Sequence, residues 1–276
     1  MRNFLGCLSS VIALAAATPA LADGPAAAPP ALTINGTAML ISDYRFRGIS
    51  QTDKNFAVQG SLTITHVSGF YVSVWGSSTD GYVTAAADTY PGGGQTLCCT
   101  AHQEIDLIGG YKKTVNGVTF DIGALYYYYP KTKAKGDFTS SDFIEPYADI
   151  SYTFGPVIAK ATINYAPRQK AMKLDQGQST TSASHDNVYL AGDFSASIPK
   201  TPLGLTAHIG HTFGPSWLAT DFNGSKGYTD WGLGATLTYK AISLGVQYVD
   251  TDATFITPSG KNASKGGIVG SIGVSF

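Results

Sequence analysis

The feature that most constrains the fold of this chain is a recurring segment of about ten residues in which apolar and polar positions alternate. Residues 230–239 show the pattern: tryptophan, leucine, alanine and tyrosine alternate with aspartate, glycine and threonine. A period of two is typical of a strand with unlike faces, and about ten residues allow a tilted strand to cross a bilayer. Twelve such segments can be recognised between residues 32 and 276. The sequence therefore predicts an all-β fold, a transmembrane antiparallel β-barrel of twelve strands.

The connections between the predicted strands alternate in length. Turns such as Ser68–Gly69, Val115–Gly117 and Gly155–Pro156 are short, whereas stretches such as 79–102 and 168–186 are long and polar or glycine-rich. Membrane barrels have short periplasmic turns and long external loops, so this pattern predicts that both termini are periplasmic. A secreted β-sandwich also has alternating strands, but it has no reason to alternate the length of its connections.

The start of the chain indicates export. Arg2 precedes a short apolar run at 4–17, and small residues follow it, which predicts a signal peptide of residues 1–22. Residues 23–31 are rich in proline and alanine and are expected to form a periplasmic lead-in. The remaining chain, 32–276, is then the barrel, and the expected location is the bacterial outer membrane.

The end of the chain supports the same location. Phe276 is the last residue, and Val274 and Ile272 lie on the same face of the last predicted strand. This arrangement resembles the C-terminal signal of proteins that the outer-membrane assembly machinery inserts. We therefore expect that machinery and outer-membrane lipid to be partners of the chain.

Charged residues are scarce. They form 13% of the chain, against about 25% in an average soluble domain, and the formal net charge is −1. The chain has no basic stripe that could neutralise phosphates, so nucleic acid is not an expected partner. The glycine-rich stretch 92–95 lacks the lysine of a phosphate-binding loop, and no haem, nucleotide or calcium motif is present. No cofactor is expected.

One stretch, SDYRFRGISQTD at 42–53, combines charges and aromatics. With a period of two, its charged positions face one way and its aromatic positions face the other: Asp43, Arg45 and Arg47 against Tyr44 and Phe46. We predict that this stretch forms the upper end of a first strand covering residues 32–47. Its aromatic rings would lie at the lipid interface and its arginines would point into the barrel.

The same stretch carries a family resemblance. Together with AVQGSL at 57–62 and GFYVSVWGSS at 69–78, it resembles the TorF-type porins, proteobacterial outer-membrane proteins formerly classed as conserved hypothetical. The similar motifs cover about the first quarter of the mature chain. The resemblance implies an outer-membrane barrel with the role of a porin, and it brings no catalytic residues and no defined substrate.

Strand parity assigns the charged residues to the lumen, because arginine or lysine facing lipid at mid-bilayer costs about 2–4 kcal/mol. The predicted lumen and selectivity residues are Asp43, Arg45, Arg47, Glu104, Asp106, Asp121, Glu145, Asp149, Lys160 and Asp193. The two arginines lie on the first predicted strand, and the acids concentrate on the fourth to sixth. Opposed basic and acidic strips would orient small hydrophilic solutes in a narrow channel.

A closed barrel is the alternative to an open channel. The charges could pair with one another and plug the lumen, which would leave a non-conducting barrel with a role in adhesion or envelope integrity.

The assignment of side chains to the lumen also depends on the first strand. A bulge there would invert the inward and outward positions of everything beyond it, and the apolar residues Met39, Ile41 and Ile49 on the nominal inner face leave this alternative open.

An outer-membrane hydrolase is a less favoured interpretation, and no enzyme activity is expected. The stretch SHDN at 184–187 holds a serine, a histidine and an aspartate, but the members of a catalytic triad usually come from separate segments. Cys98 and Cys99 are adjacent in the longest outer loop, where they would either form a local disulfide or be plain loop residues. A metal site that includes His102 has weaker support, because three candidate ligands in one loop are a poor signal.

Overall fold

The structure is a computed structural model that describes residues 30–80, 101–130, 142–172, 183–216, 218–219, 226–257 and 260–276. Its strands are β1 (Leu32–Ile41), β2 (Arg45–Phe46), β3 (Ile49–Ser50), β4 (Ala57–His66), β5 (Phe70–Ser78), β6 (Gln103–Val115), β7 (Val118–Tyr128), β8 (Phe143–Phe154), β9 (Val157–Ala166), β10 (Asn187–Ser197), β11 (Leu203–Phe213), β12 (Gly227–Tyr239), β13 (Ile242–Thr251) and β14 (Gly267–Ser275). Within these ranges, twelve strands form one closed antiparallel barrel in the order β1-β14-β13-β12-β11-β10-β9-β8-β7-β6-β5-β4. Strands β2 and β3 form a separate two-stranded sheet. The predicted twelve-stranded barrel is confirmed.

The barrel strands turn an apolar face outward and a polar or small-residue face inward. In β12 the side chains of Trp231, Leu233 and Leu237 are exposed, whereas Asp230 and Gly232 are buried. The exposed large side chains of the other strands are leucine, isoleucine, valine, phenylalanine and tyrosine. This outer face is of the kind that a membrane barrel presents to hydrocarbon.

A lysine in the middle of this outer face should destabilise the barrel. Leu233 is 64% exposed and lies at the centre of β12. We expect Leu233→Lys to lower the free energy of unfolding in lipid vesicles by about 2–4 kcal/mol, because the ammonium group must face hydrocarbon. Val67→Lys is the matched control, since Val67 is equally exposed but lies in the turn between β4 and β5. Equal losses for the two variants in urea titrations would contradict the placement of the outer face in lipid.

The connections alternate in length along the barrel. The short turns lie at 67–69, 116–117, 155–156, 198–202 and 240–241. One longer connection contains a 3-10 helix at Lys170–Met172, and no described helix is long and apolar enough to cross a membrane.

The two ends of the barrel close on each other. Strand β14 pairs with β1, and two backbone hydrogen bonds extend the pairing to the last residue. The Gly36 amide donates to the Phe276 carbonyl at 2.8 Å, and the Phe276 amide donates to the Gly36 carbonyl at 3.0 Å. Phe276 therefore lies at the rim that holds the short turns, where β1 begins.

The first strand contains no bulge. Its pairing with β4 is continuous from Leu32 opposite His66 to Ile41 opposite Ala57. Parity is therefore kept along β1, and Met39 and Ile41 lie on the inner face, where they border a cavity. The lumen is therefore apolar at these two positions, and the inward and outward faces of β1 are not inverted.

The prediction that the first strand continues to residue 47 is wrong. Strand β1 ends at Ile41, and residues 42–55 leave the wall and fold into the barrel; we call this segment the inner hairpin. Its two strands, β2 and β3, pair Phe46 with Ile49 across a two-residue turn. The turn residues Arg47 and Gly48 have φ values of 47° and 81°, the left-handed backbone that a tight hairpin turn requires.

Candidate functional site in the barrel interior

The side chain of Arg47, at the tip of the inner hairpin, reaches across the lumen to the opposite wall. The Arg47 guanidinium donates to a Glu145 carboxylate oxygen at 2.6 Å and to the Asn187 side-chain oxygen at 3.2 Å. It also lies over the ring of Tyr189, 4.1 Å from the centroid. Glu145 belongs to β8 and Asn187 to β10, the two neighbours of β9, which lies six strands from β1 in the barrel order. Arg47 thus anchors the inner hairpin across the full width of the lumen.

A second arginine holds the inner hairpin together. Arg45 donates to the Asp43 carboxylate at 2.6 Å and to the Gly48 carbonyl at 3.0 Å. It also donates to the Ala263 carbonyl at 3.0 Å, in the connection between β13 and β14. Asp43 in turn accepts hydrogen bonds from the Ser50 hydroxyl at 2.5 Å and the Thr52 hydroxyl at 3.2 Å. The Asp43–Arg45 pair therefore braces the inner hairpin internally and against the connection between β13 and β14.

The aromatic residues of the inner hairpin face the interior, not the lipid. Tyr44 is 1% exposed, and its hydroxyl donates to the Glu104 carboxylate at 3.2 Å. Its ring packs against Trp75, and the ring of Phe46 meets Tyr127 edge to face. The expectation that these rings lie at the lipid interface is wrong, because both faces of a hairpin inside a barrel find partners on the wall.

The inner hairpin also packs against the segment between β13 and β14. Buried Ile49 forms an apolar cluster whose other members are Tyr228, Ala253, Phe255 and Ala263. Asp53 accepts a hydrogen bond from the Thr257 hydroxyl at 2.8 Å and forms an ion pair with Lys261 at 3.1 Å. The inner hairpin is thus fixed to the connection between β13 and β14 by both apolar and polar contacts.

The remaining inner wall carries two charged networks. In the first, Lys112 pairs with Asp121 at 2.7 Å, and Asp121 accepts from the Tyr71 hydroxyl at 2.8 Å. The Tyr71 hydroxyl also contacts the hydroxyl of Tyr147. This first network thus joins side chains from four neighbouring strands, β5 to β8.

The second network is centred on a histidine. His208 places its Nδ1 2.7 Å from Asp193 and its Nε2 2.9 Å from Asp230. Lys160 pairs with Asp193 at 3.2 Å, and the Tyr189 hydroxyl donates to Asp230 at 3.1 Å. An imidazole between two carboxylates can donate from both nitrogens only when it carries a positive charge, so His208 acts here as a cation.

The structure places the sequence-predicted lumen residues in two groups. Asp43, Arg45 and Arg47 belong to the inner hairpin. The others lie on the inner faces of wall strands: Glu104 and Asp106 on β6, Asp121 on β7, Glu145 and Asp149 on β8, Lys160 on β9 and Asp193 on β10. Cys98 and Cys99 lie outside the described residues.

Acidic groups outnumber basic ones in the described interior. Nine carboxylates lie there, namely Asp43, Asp53, Glu104, Asp106, Asp121, Glu145, Asp149, Asp193 and Asp230. The basic side chains paired with them are Arg45, Arg47, Lys112, Lys160, His208 and the half-exposed Lys261. The lumen therefore carries an excess of negative charge.

Sequence reasoning missed four of these interior groups, Asp53, Lys112, His208 and Asp230. Strand parity could have identified three of them, because His208 alternates with the outward Ala207 and Ile209, and Lys112 and Asp230 lie on the polar faces of their strands. Asp53 gave no such signal, since it belongs to the inner hairpin and not to a wall strand.

A cavity remains in the lumen along β1 and β11–β14. Its volume is about 50 Å³. Its polar lining consists of Thr206, Thr236, Ser243, Gln247 and Ser271, next to Gly234 and Gly245. None of the described lining residues is charged. The open space thus has an uncharged lining, although its strands β11 and β12 also carry His208 and Asp230 of the second network.

Comparisons with known proteins add a family and a fold. A family model described as a bacterial protein of unknown function, Gcw_chp, matches residues 24–269, and no curated protein matches the chain. The solved structure of NanC porin is similar, with a TM-score of 0.55 and 12% identity over 88% of this chain and 99% of that chain. At this identity the similarity shows a shared barrel fold.

Two further solved structures show weaker similarity. KdgM porin has a TM-score of 0.49 and 8% identity over 88% of this chain and 97% of that chain. The outer membrane channel DcaP of Acinetobacter baumannii has a TM-score of 0.43 and 13% identity over 89% of this chain and 97% of that chain.

Proposed function

We propose that this chain, which belongs to the Gcw_chp family of bacterial proteins of unknown function, is an outer-membrane channel for passive diffusion of small hydrophilic solutes. Its porin-like barrel fold, its apolar outer face and its polar lumen support this function. The resemblance of SDYRFRGISQTD and the two motifs after it to the TorF-type porins supports it as well.

The same proposal includes the route to the membrane. Residues 1–22 act as a cleaved signal peptide, 23–31 remain in the periplasm, and the rim with the short turns faces the periplasm. Phe276 at that rim is recognised by the assembly machinery, and the apolar outer face then contacts lipid. Protein expressed with and without residues 1–22 tests this route, because only the longer chain should reach the outer membrane.

The observation that carries the channel proposal is the cavity along β1 and β11–β14. A twelve-stranded barrel is wider than the filled eight-stranded barrels and narrower than open porins of sixteen strands. The inner hairpin contacts the wall on several sides of this lumen, and small uncharged side chains leave space along β1 and β11–β14. A solute passing there would meet hydroxyl groups at the wall and the field of the acidic networks across the lumen.

The excess of carboxylates makes cations and neutral solutes the favoured class. Rings and strips of Asp and Glu select cations in pores, because they stabilise a positive charge and repel a negative one. Recordings of the folded protein in planar bilayers under a KCl gradient test this. We expect a small conductance with a reversal potential on the cation-selective side. A folded barrel that never conducts would contradict the channel.

Filling the cavity should reduce the conductance. Thr236 borders the cavity, and Thr236→Trp would place an indole in the open space. We expect the single-channel conductance in planar bilayers to fall to a small fraction of the wild-type value. The control is Ala235→Trp. Ala235 precedes Thr236 in β12 and points to the outer face, where a tryptophan can contact lipid. An equal conductance for both variants would show that solutes do not pass along this side.

A closed barrel with a role in adhesion or envelope integrity is the second candidate. It is favoured by the inner hairpin, which contacts β6, β8, β10 and the connection after β13 and so blocks much of the outer end of the lumen. The bilayer recordings separate the two candidates, since a closed barrel gives no current in the wild type and acquires one only when the inner hairpin is displaced.

A further inference from the structure

The rim of the barrel that holds the short turns is basic. Three exposed lysines lie there, and we call them the rim lysines: Lys113 near the end of β6, Lys200 in the turn between β10 and β11, and Lys240 in the turn between β12 and β13. The five short turns contain no acidic residue, and Phe276 adds one carboxylate where the chain ends. Positive charge is therefore in excess at this rim.

The acidic side chains nearest to this rim belong to the lumen and have other partners. Asp121 on β7 pairs with Lys112 at 2.7 Å, and Asp193 on β10 pairs with Lys160 at 3.2 Å. Within the described parts of the chain, none of the rim lysines forms an ion pair. Their ammonium groups are therefore open to a partner outside the protein.

The backbone of two short turns does not favour lysine. Lys200 and Lys240 have φ values of 63° and 54°, in the left-handed region that glycine and asparagine adopt at lower cost than other residues. The turn between β6 and β7 uses Asn116, with a φ of 51°, followed by Gly117. Lysine is thus not required by the geometry of these turns, and its charge is the property that a function has to explain.

The rim lysines lie next to aromatic side chains of the outer face. The Lys240 ammonium lies over the ring of Tyr239, 5.5 Å from its centroid, and Lys113 is the cross-strand neighbour of Phe120. Both aromatic side chains are exposed, and aromatic belts of membrane proteins lie at the level of the lipid headgroups. An ammonium group beside such a ring can reach a headgroup while its methylene chain stays on the apolar wall.

We propose that the rim lysines bind the phosphate groups of anionic phospholipids in the leaflet that the short turns face. A lysine ammonium binds phosphate as a compact point charge. The rim lysines belong to β6 and to the turns after β10 and β12, so they are distributed around the circumference of the barrel. Separate charges around a wall suit many small headgroups, whereas one folded partner would need its contacts collected in a single patch.

This inference goes beyond the proposed channel and involves no passage of solute. It rests on the part of the proposed function that places the outer face in lipid. The comparison of Leu233→Lys with Val67→Lys tests that placement, and the bilayer recordings test the channel. A failure of the lipid contacts at the rim lysines would leave both of those results unchanged, so the failures are distinguishable.

The test is urea unfolding of the protein folded into vesicles, either of phosphatidylcholine alone or of equal parts of phosphatidylcholine and phosphatidylglycerol, at low salt. Each lysine near an anionic lipid surface should favour the folded state about fivefold. The anionic lipid should therefore raise the folding equilibrium constant about a hundredfold more in the wild type than in the triple variant Lys113→Gln, Lys200→Asn, Lys240→Asn. In phosphatidylcholine the triple variant should be at least as stable as the wild type, because asparagine suits the two left-handed turns.

Lys265→Asn is the matched control for the single variant Lys240→Asn. Lys265 is also exposed, but its carbonyl accepts from Arg45 at 3.3 Å, which places it in the connection that packs on the inner hairpin. Both variants lose one positive charge, so any effect of charge on the unfolded chain is shared. Lys240→Asn should lose about fivefold of the gain from anionic lipid, and Lys265→Asn should keep that gain in full. Equal losses would assign the effect to net charge and overturn the proposal.

Two other results would also overturn it. Equal stability of the wild type in the two kinds of vesicle would mean that no anionic headgroup is bound. An equal loss by the triple variant in both lipids would mean that the rim lysines only support the turns. If the triple variant does not fold, native mass spectrometry of the wild type released from nanodiscs of the mixed lipids decides. Retention of phosphatidylglycerol in excess over phosphatidylcholine is expected, and equal retention would exclude the preference.

Discussion

Replacing Arg47 with alanine is expected to lower the free energy of unfolding by about 3–5 kcal/mol, because the change leaves the Glu145 carboxylate buried without its partner. Arg47 and Glu145 have side chains that are 5% and 0% exposed, and their 2.6 Å contact is reinforced by Asn187 and the ring of Tyr189. Urea titration of the protein refolded in detergent measures the loss. Release of the hairpin tip should also raise the single-channel conductance in the same preparation.

Two variants test the origin of this effect. The double variant Arg47→Ala with Glu145→Gln should recover part of the lost stability, since it removes the unpaired charge together with the arginine. Arg168→Ala removes an exposed arginine that follows β9 and should change the stability by less than about 0.5 kcal/mol. If Arg47→Ala proved as mild as Arg168→Ala, the anchoring of the inner hairpin by Arg47 would be wrong.

A single methyl group at Gly48 should displace the inner hairpin. Gly48 has a φ of 81°, and a Cβ there would lie 2.9 Å from the Cβ of Asp230 and 3.0 Å from the Cβ of Thr251. We expect Gly48→Ala to cost about 1–2 kcal/mol for the backbone conformation and about 1–3 kcal/mol more for the contact with the wall. The displaced tip should open the lumen, which is measured as a larger conductance in planar bilayers.

Gly260→Ala separates the two contributions. Gly260 has a φ of 82°, nearly that of Gly48, but a Cβ at this position meets nothing within 4 Å. This variant should therefore show the backbone cost alone and an unchanged conductance. If both variants raised the conductance equally, backbone strain in any outer segment would explain the result, and close packing of the hairpin tip against β12 and β13 would not be required.

The wall of the barrel could be predicted from the sequence because the surroundings of the strands impose a simple rule. Each strand needs one face that suits an apolar exterior, and so segments such as 230–239 show an alternation that fixes both the strand and its inner side. The strand number followed from counting these segments. The same rule places Lys112 and Asp230 on the inner side, although neither was identified in advance.

The inner hairpin could not be predicted in this way. Its first residues alternate as a wall strand does, and a period of two is the same for a strand in the wall and for a short hairpin inside it. What distinguishes them is the set of partners: Glu145, Asn187 and Ala263 are far away in the sequence, and nothing near Arg47 indicates them. The dipeptide Arg47–Gly48 was a local sign of a turn, because glycine accepts the left-handed backbone without strain.

The contacts of the inner hairpin determine when it can reach its final position. Arg47 joins residues 98 and 140 positions further along the chain, and Arg45 joins one that is 218 positions away. Contacts between such distant residues form late in folding, because the intervening chain must first be ordered. Residues 42–55 are therefore among the first of the barrel to be synthesised, and we expect them to be among the last to settle. Until Arg47 docks, the carboxylates of the wall lack one of the cations that offset their charge.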